Sequence, residues 1–148
     1  MTDVSKYRLN HTMYRVRDGP ASVDFYTRVL GMKLIQDSHF PEAKFSLYFL
    51  GYEATSGAGV AKSQREGLIE LTHNHGTESD PNFAGYNTGN GETGGYGHIA
   101  IIVDDLTASV ARLDSLGVKF LKRPEEGRMR NIAFIYDPDG YRVELIGQ

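Results

Sequence analysis

Apolar residues recur along this chain with two different periods, and the switch between them happens twice. His11-Thr12-Met13-Tyr14-Arg15-Val16 reads as a short strand in which Thr12, Tyr14 and Val16 face one way and His11, Met13 and Arg15 the other. Val23, Tyr26 and Leu30 then follow at helical spacing. That predicts a helix opened by Asp18-Gly19-Pro20, with proline near the first turn, and stopped by Gly31. Phe45–Leu50 reads as a middle strand. Ile69-Glu70-Leu71 lies in a closing strand where Glu70, Thr72 and Asn74 share one face, opposed by Ile69, Leu71 and His73. The same order returns downstream. His98–Val103 is a strand with His98, Ala100 and Ile102 opposed to Ile99, Ile101 and Val103. Asp104 or Asp105 caps a helix whose buried stripe is Leu106, Val110 and Leu113, and Gly117 stops it. Ile132–Tyr136 is a strand, the turn Asp137-Pro138-Asp139-Gly140 follows, and Arg142, Glu144 and Ile146 oppose Val143 and Leu145 in the last strand.

The parallel goes beyond pattern. His11 stands five residues before Val16 as His98 does before Val103, and Ala21-Ser22-Val23 answers Ala108-Ser109-Val110. Leu30-Gly31-Met32-Lys33-Leu34 answers Leu116-Gly117-Val118-Lys119-Phe120, and Ile69-Glu70-Leu71 answers Val143-Glu144-Leu145. Coincidences in one order mark a duplicated module. Each copy reads as strand, helix, then about three strands. An α+β fold of two tandem βαβββ modules is therefore expected, over residues 8–75 and 96–148, joined by a glycine-rich linker at 76–95. The stretch Gly76–Gly97 holds seven of the 17 glycines and is too long for an ordinary connection. It is either a mobile tether or a loop shaped by what it covers. Ala54–Gly67 is a second, shorter insertion.

Composition narrows the function classes. With 148 residues, 40% hydrophobic and 24% charged, the chain is an ordinary globular domain. A net charge of −3 provides no basic footprint, so neither nucleic acid nor an anionic membrane is an expected partner. No apolar run reaches the length of a bilayer span, and Met1–Arg8 lacks the apolar core of a secretory signal. The absence of cysteine removes disulfides, thiolate nucleophiles and thiolate metal sites together. A cytoplasmic protein is the expectation.

The repeat bears on chemistry as well. His11, Glu70, His98 and Glu144 occupy equivalent strand positions, on faces opposite the ones that should pack against the helices. A lone histidine or glutamate there would usually be only a solvated side chain. A glutamate embedded as Ile-Glu-Leu or Val-Glu-Leu is less ordinary, because half-buried strands favour β-branched and aromatic residues. Two imidazoles and two carboxylates together make an N₂O₂ set for a borderline divalent ion, with water completing the shell. His73 and His75 fall off that face and read as packed or solvated histidines. His39 reads as a residue of a Ser38-His39-Phe40-Pro41 turn without a partner. The glycines at Gly94-Gly95-Tyr96-Gly97 precede a strand rather than a helix and are no phosphate cradle. No serine or threonine sits in a nucleophile-elbow context.

Several of these segments, in order, resemble lactoylglutathione lyase (glyoxalase I) of the vicinal-oxygen-chelate superfamily. They are His11–Val16, Asp24–Met32, Lys44–Leu50, Ile69–Asn74 and Asp137–Tyr141. The resemblance implies paired βαβββ modules whose curved mixed sheets form a cleft, in a homodimer. It places the metal ligands on His11, Glu70, His98 and Glu144, His11 and Glu70 of one chain meeting His98 and Glu144 of the other. It implies a glutathione co-substrate whose γ-glutamyl end is held by Arg15 and Asn74. The glycyl end would approach Lys122–Arg130, Arg128 and Met129 above all, and His98 would lie beside the substrate. Many relatives carry an arginine four residues before the second histidine, where this chain has Gly94; Lys122, Arg128 or Arg130 could compensate. The insertions resemble the zinc-dependent group, which favours Zn²⁺ over Ni²⁺ or Co²⁺. The implied substrate is the methylglyoxal–glutathione hemithioacetal, isomerised through an enediolate to S-lactoylglutathione, with Glu144 as base and Glu70 as the second acid–base group. The alternatives are another metalloenzyme of the superfamily, such as a ring-cleaving dioxygenase or an epimerase, and a non-catalytic drug-binding protein.

Overall fold

The structure, a computed structural model, describes residues 1–148, the side chains at positions 55 and 56 excepted. The chain divides into two compact units, Met1–Ala84 and Gly85–Gln148, and each is built on its own four-stranded mixed sheet. The α+β class read from the two periods is the observed one.

The first unit runs β1 (His11–Val16), α1 (Gly19–Asp24), β2 (Lys33–Phe40), β3 (Phe45–Gly51), α2 (Glu53–Ser56) and β4 (Leu68–Asn74). Its sheet order is β1-β4-β3-β2. Strands β2, β3 and β4 form an antiparallel meander, and the first strand closes the sheet by lying parallel to the last. The second unit repeats this with β5 (His98–Val103), α3 (Leu106–Ser115), β6 (Phe120–Lys122), β7 (Ile132–Tyr136) and β8 (Arg142–Gly147), in the order β5-β8-β7-β6. The registers match. Met13 and Phe49 flank Glu70 just as Ala100 and Phe134 flank Glu144.

Alternation sets the core. Tyr14, Val16, Ile69 and Leu71 are buried on the helix-facing side of the first sheet, as Ile135, Val143 and Leu145 are in the second. The Asp18 side chain caps α1 by accepting from the Ala21 N–H at 3.0 Å, and Asp105, rather than Asp104, caps α3 through Ala108 at 2.9 Å. The first helix departs from the expected stripe. Beyond Asp24 it widens, so that the Leu30 N–H donates to the Phe25 carbonyl at 3.1 Å, five residues back. The wider turn buries Ser22, Tyr26 and Val29 and leaves Val23 and Leu30 half-buried. In α3 only Leu113 of the expected stripe is fully buried. Gly31 and Gly117 take the left-handed conformation that ends each helix, at φ +76° and +71°.

The glycine-rich stretch is tied down within each unit. In the first, the Thr77 hydroxyl donates to the Arg17 carbonyl and Arg17 Nη2 to the Phe83 carbonyl, both at 2.6 Å. In the second, Asn90 Nδ2 donates to the Gly140 carbonyl at 2.8 Å, and the Tyr96 ring meets Tyr141 edge-on at 5.8 Å. Gly89, at φ +81°, lies so close to the Tyr96 backbone that a Cβ there would overlap its carbonyl oxygen. No helix among the described residues is long and apolar enough to cross a membrane.

Candidate metal and substrate site

The four expected donors occur as two pairs, one in each unit. His11 begins β1 and Glu70 sits at the centre of β4, a diagonal step apart on one face; His11 Nε2 lies 2.9 Å from Glu70 Oε2. His98 and Glu144 repeat the step across β5 and β8, with Nε2 3.0 Å from Oε2. Exposure matches as well: the side chains are 35% and 13% exposed in the first pair, 38% and 15% in the second. In each pair the imidazole is open to an incoming ligand and the carboxylate is largely sheltered.

A second likeness escaped the sequence reading. The His11 ring packs edge-on against Phe49 at 5.3 Å, and the His98 ring against Phe134 at 5.0 Å. Each phenylalanine stands opposite the glutamate of its own pair in the strand register. One phenylalanine per module thus neighbours the glutamate across the strands and holds the imidazole plane. Aligning the two middle strands as well as the outer ones would have revealed it.

Each pair fits half of a metal shell. Two donors about 2.1 Å from a common ion, at a right angle, are about 3.0 Å apart, as these are. Imidazole nitrogen with carboxylate oxygen suits a borderline divalent cation such as zinc, nickel or cobalt. No group of three or more histidine, aspartate or glutamate side chains able to hold a metal gathers among the described residues, so either pair alone is an incomplete shell.

Arg15 and Asn74 lie on the His11 and Glu70 face, further along the same strands. Arg15 is exposed and stands opposite Thr72, two residues before Asn74. Arg128 and Met129 lie exposed in the segment between β6 and β7. In that segment the Lys122 ammonium donates to the carbonyls of Arg123 (3.0 Å), Met129 (2.8 Å) and Ile132 (3.3 Å), and Arg130 donates to the Glu125 carbonyl. Lys122 therefore shapes the loop from within, which leaves Arg128 the better placed cation for an anionic ligand.

The remaining three histidines make hydrogen bonds within the first unit. His73 is buried and bonds Glu78 at 2.8 Å; Glu78's own backbone N–H and then the His73 ring hold its carboxyl below the usual range. His39 corrects the sequence reading. It belongs to β2, not to a partnerless turn, with Nε2 2.9 Å from Asp37 and Nδ1 2.8 Å from the Ser46 hydroxyl. Ser46 also meets His75 Nε2 at 2.8 Å. The turn begins only at Pro41, after β2 has run through Phe40.

A duplicated βαβββ sheet carrying one histidine–glutamate pair per module defines a class, and residues 8–145 match its family: the chain belongs to the Glyoxalase/Bleomycin resistance protein/Dioxygenase superfamily. Within that superfamily it is similar to glyoxalase I. It is 48% identical to the lactoylglutathione lyase of Pseudomonas putida, over 96% of this chain and 86% of that protein. It is 46% identical to the lactoylglutathione lyase of Schizosaccharomyces pombe, where it covers 99% of itself but spans only about half, 49%, of the yeast protein. Among solved structures, the trypanothione-dependent glyoxalase I of Leishmania major superposes with a TM-score of 0.74 at 36% identity, covering 96% of this chain and 87% of that one.

Proposed function

We propose that this chain is a lactoylglutathione lyase, which isomerises the hemithioacetal of methylglyoxal and glutathione to S-lactoylglutathione and so detoxifies methylglyoxal. The observation that carries the reading is the repeated histidine–glutamate pair, near-identical in spacing and exposure in both modules. The relatives named as lactoylglutathione lyases support it.

In this reading the active unit is a homodimer, in which His11 and Glu70 of one chain and His98 and Glu144 of the other complete one N₂O₂ shell. A bound divalent ion, zinc in preference to nickel or cobalt, supplies Lewis-acid stabilisation of the charge that develops on two adjacent oxygens. The protein's own groups do the rest. Glu144 takes the proton from the carbon bearing sulfur, and a proton returns to the neighbouring carbon, with Glu70 as the second acid–base group. Phe49 and Phe134 pack edge-on against the His11 and His98 rings and hold the imidazole planes. Arg15 and Asn74 hold the γ-glutamyl end, Arg128 and Met129 approach the glycyl end, and His98 lies beside the reacting carbons. The setting is the cytoplasm, where glutathione is kept reduced.

The test is to mix the protein with methylglyoxal and glutathione and follow thioester absorbance, with and without a chelator. Thioester formation that the chelator abolishes and added Zn²⁺ or Ni²⁺ restores is the expected result. No metal-dependent gain would leave a non-catalytic binding protein as the reading.

A further inference from the structure

The residue before the first ligand is placed to control it. Asn10 Oδ1 lies 2.7 Å from His11 Nδ1, while Asn10 Nδ2 lies 2.8 Å from the Lys62 carbonyl oxygen and 2.9 Å from that of Arg65. The amide nitrogen has two protons, and two carbonyls take them. That fixes the amide's orientation, since turning it over would set its oxygen against both carbonyls. Oδ1 must then face Nδ1 as an acceptor, and the His11 ring must carry a proton on Nδ1.

A consequence follows at the other ring nitrogen. With Nδ1–H bound to Asn10, a neutral ring presents the bare lone pair of Nε2 to Glu70 Oε2 at 2.9 Å. Two lone pairs at that distance repel unless a cation lies between them, and only a proton or a metal ion fits there.

We propose that Asn10 is a positioning residue that holds His11 in the Nδ1–H form, presenting Nε2 for coordination, and couples that ligand to the Lys62–Arg65 turn of the 54–67 insertion. The inference rests on the metal-binding role proposed for His11. The turn is anchored from its other side too: the Lys62 ammonium lies 3.9 Å from the centroid of Phe49, the ring that packs against His11. One amide and one aromatic ring therefore join the insertion to the half-site. The second module has no such device, since Gly97 precedes His98 and has no side chain to offer.

Two variants and a spectroscopic readout test this. Long-range ¹H–¹⁵N spectra of the metal-free protein report which nitrogen of His11 carries a proton. In the unaltered protein, Nδ1 is expected to be protonated. Asn10→Ala removes the acceptor and the two donors, and is expected to release the ring to the Nε2–H form and weaken Zn²⁺ binding about 10- to 100-fold in chelator competition. Asn10→Asp keeps an acceptor for Nδ1–H, now charged, while its second oxygen is repelled by the Lys62 and Arg65 carbonyls, which loosens the turn without removing the partner of His11. It is expected to keep Nδ1–H and most of the zinc affinity, while amide exchange speeds up at Gln64 and Arg65, whose N–H groups bond within the turn. A neutral His11 ring protonated on Nε2 in the unaltered protein overturns the proposal, as does unchanged zinc affinity in Asn10→Ala. Should the alanine variant fail to fold, loss of Nδ1–H in Asn10→Asp overturns it equally. If the unaltered protein takes up no divalent ion, the proposed function fails, while the metal-free spectra still decide the role of Asn10.

Discussion

The Phe134 ring holds the His98 imidazole edge-on at a centroid distance of 5.0 Å, while its backbone stands opposite Glu144 in the strand register. One apolar residue thus orients one donor of a pair and shields the other. Phe49 does the same for His11 and Glu70 at 5.3 Å. Replacing either phenylalanine by alanine should free the imidazole and wet the carboxylate. Zinc affinity is expected to fall about tenfold, as when an outer partner of a metal ligand is lost. Competition with a coloured chelator measures it, and equal losses in the two variants would show that the half-sites contribute alike.

Glu144→Gln keeps the side chain's shape but removes its capacity to accept a proton. Thioester formation is expected to drop by about 10²- to 10⁴-fold, the usual share of a general base, with the melting temperature nearly unchanged. Glu70→Gln distinguishes the two carboxylates. A smaller loss there assigns the principal proton transfer to Glu144, and a larger loss reverses the assignment.

Arg15 is exposed on the same face as His11 and Glu70, beyond that pair, where in the proposed function it suits a carboxylate of the substrate rather than the reacting carbons. Arg15→Ala is expected to raise KM about 10- to 100-fold, the effect of losing a hydrogen bond to a charged group, and to change kcat little. Steady-state kinetics with varied hemithioacetal separate the two constants. A fall in kcat at unchanged KM would place Arg15 nearer the chemistry.

Two tyrosines set an alkaline limit. Burial pushes the phenol of Tyr52 up to about 12, and burial together with the nearby Asp139 and Asp137 does the same for Tyr141. In the unfolded chain a tyrosine ionises near pH ~10. Both folded-state values are raised, so the stability these groups contribute is whole below pH ~10 and is lost as pH climbs towards 12. Urea midpoints are expected to hold steady from pH ~8 to ~9.5 and to fall above pH ~10. Tyr141→Phe should flatten part of that fall.

Much of this architecture was legible before any coordinates because duplication writes the same constraint twice. A single histidine on a strand says little, but His11 and His98 at equal offsets from Val16 and Val103 select a face and a register together. Glu70 and Glu144 lie where that reasoning places them. Three features were not legible, each for a physical reason. The widening of the first helix after Asp24 depends on how Tyr26 docks, its hydroxyl 2.7 Å from that of Tyr14, and no local preference encodes that contact. His39 reads as a residue of a turn ending at Pro41, although pairing of β2 with β3 extends the strand through Phe40, a contact local sequence does not show. The contacts of Asn10 with Lys62 and Arg65 join segments more than fifty residues apart, and an asparagine beside a histidine carries no sequence mark of them.

In both modules the histidine–glutamate pair is assembled from the opening strand and the closing one, which lie side by side and parallel. Contacts between such distant segments form late in folding, after the local hairpins have removed most of the chain's freedom. A nascent chain that has emerged only through its first strand therefore displays a lone imidazole, a poor scavenger of ions. The two side chains of a pair come within reach of each other only when a module has been synthesised to its last strand.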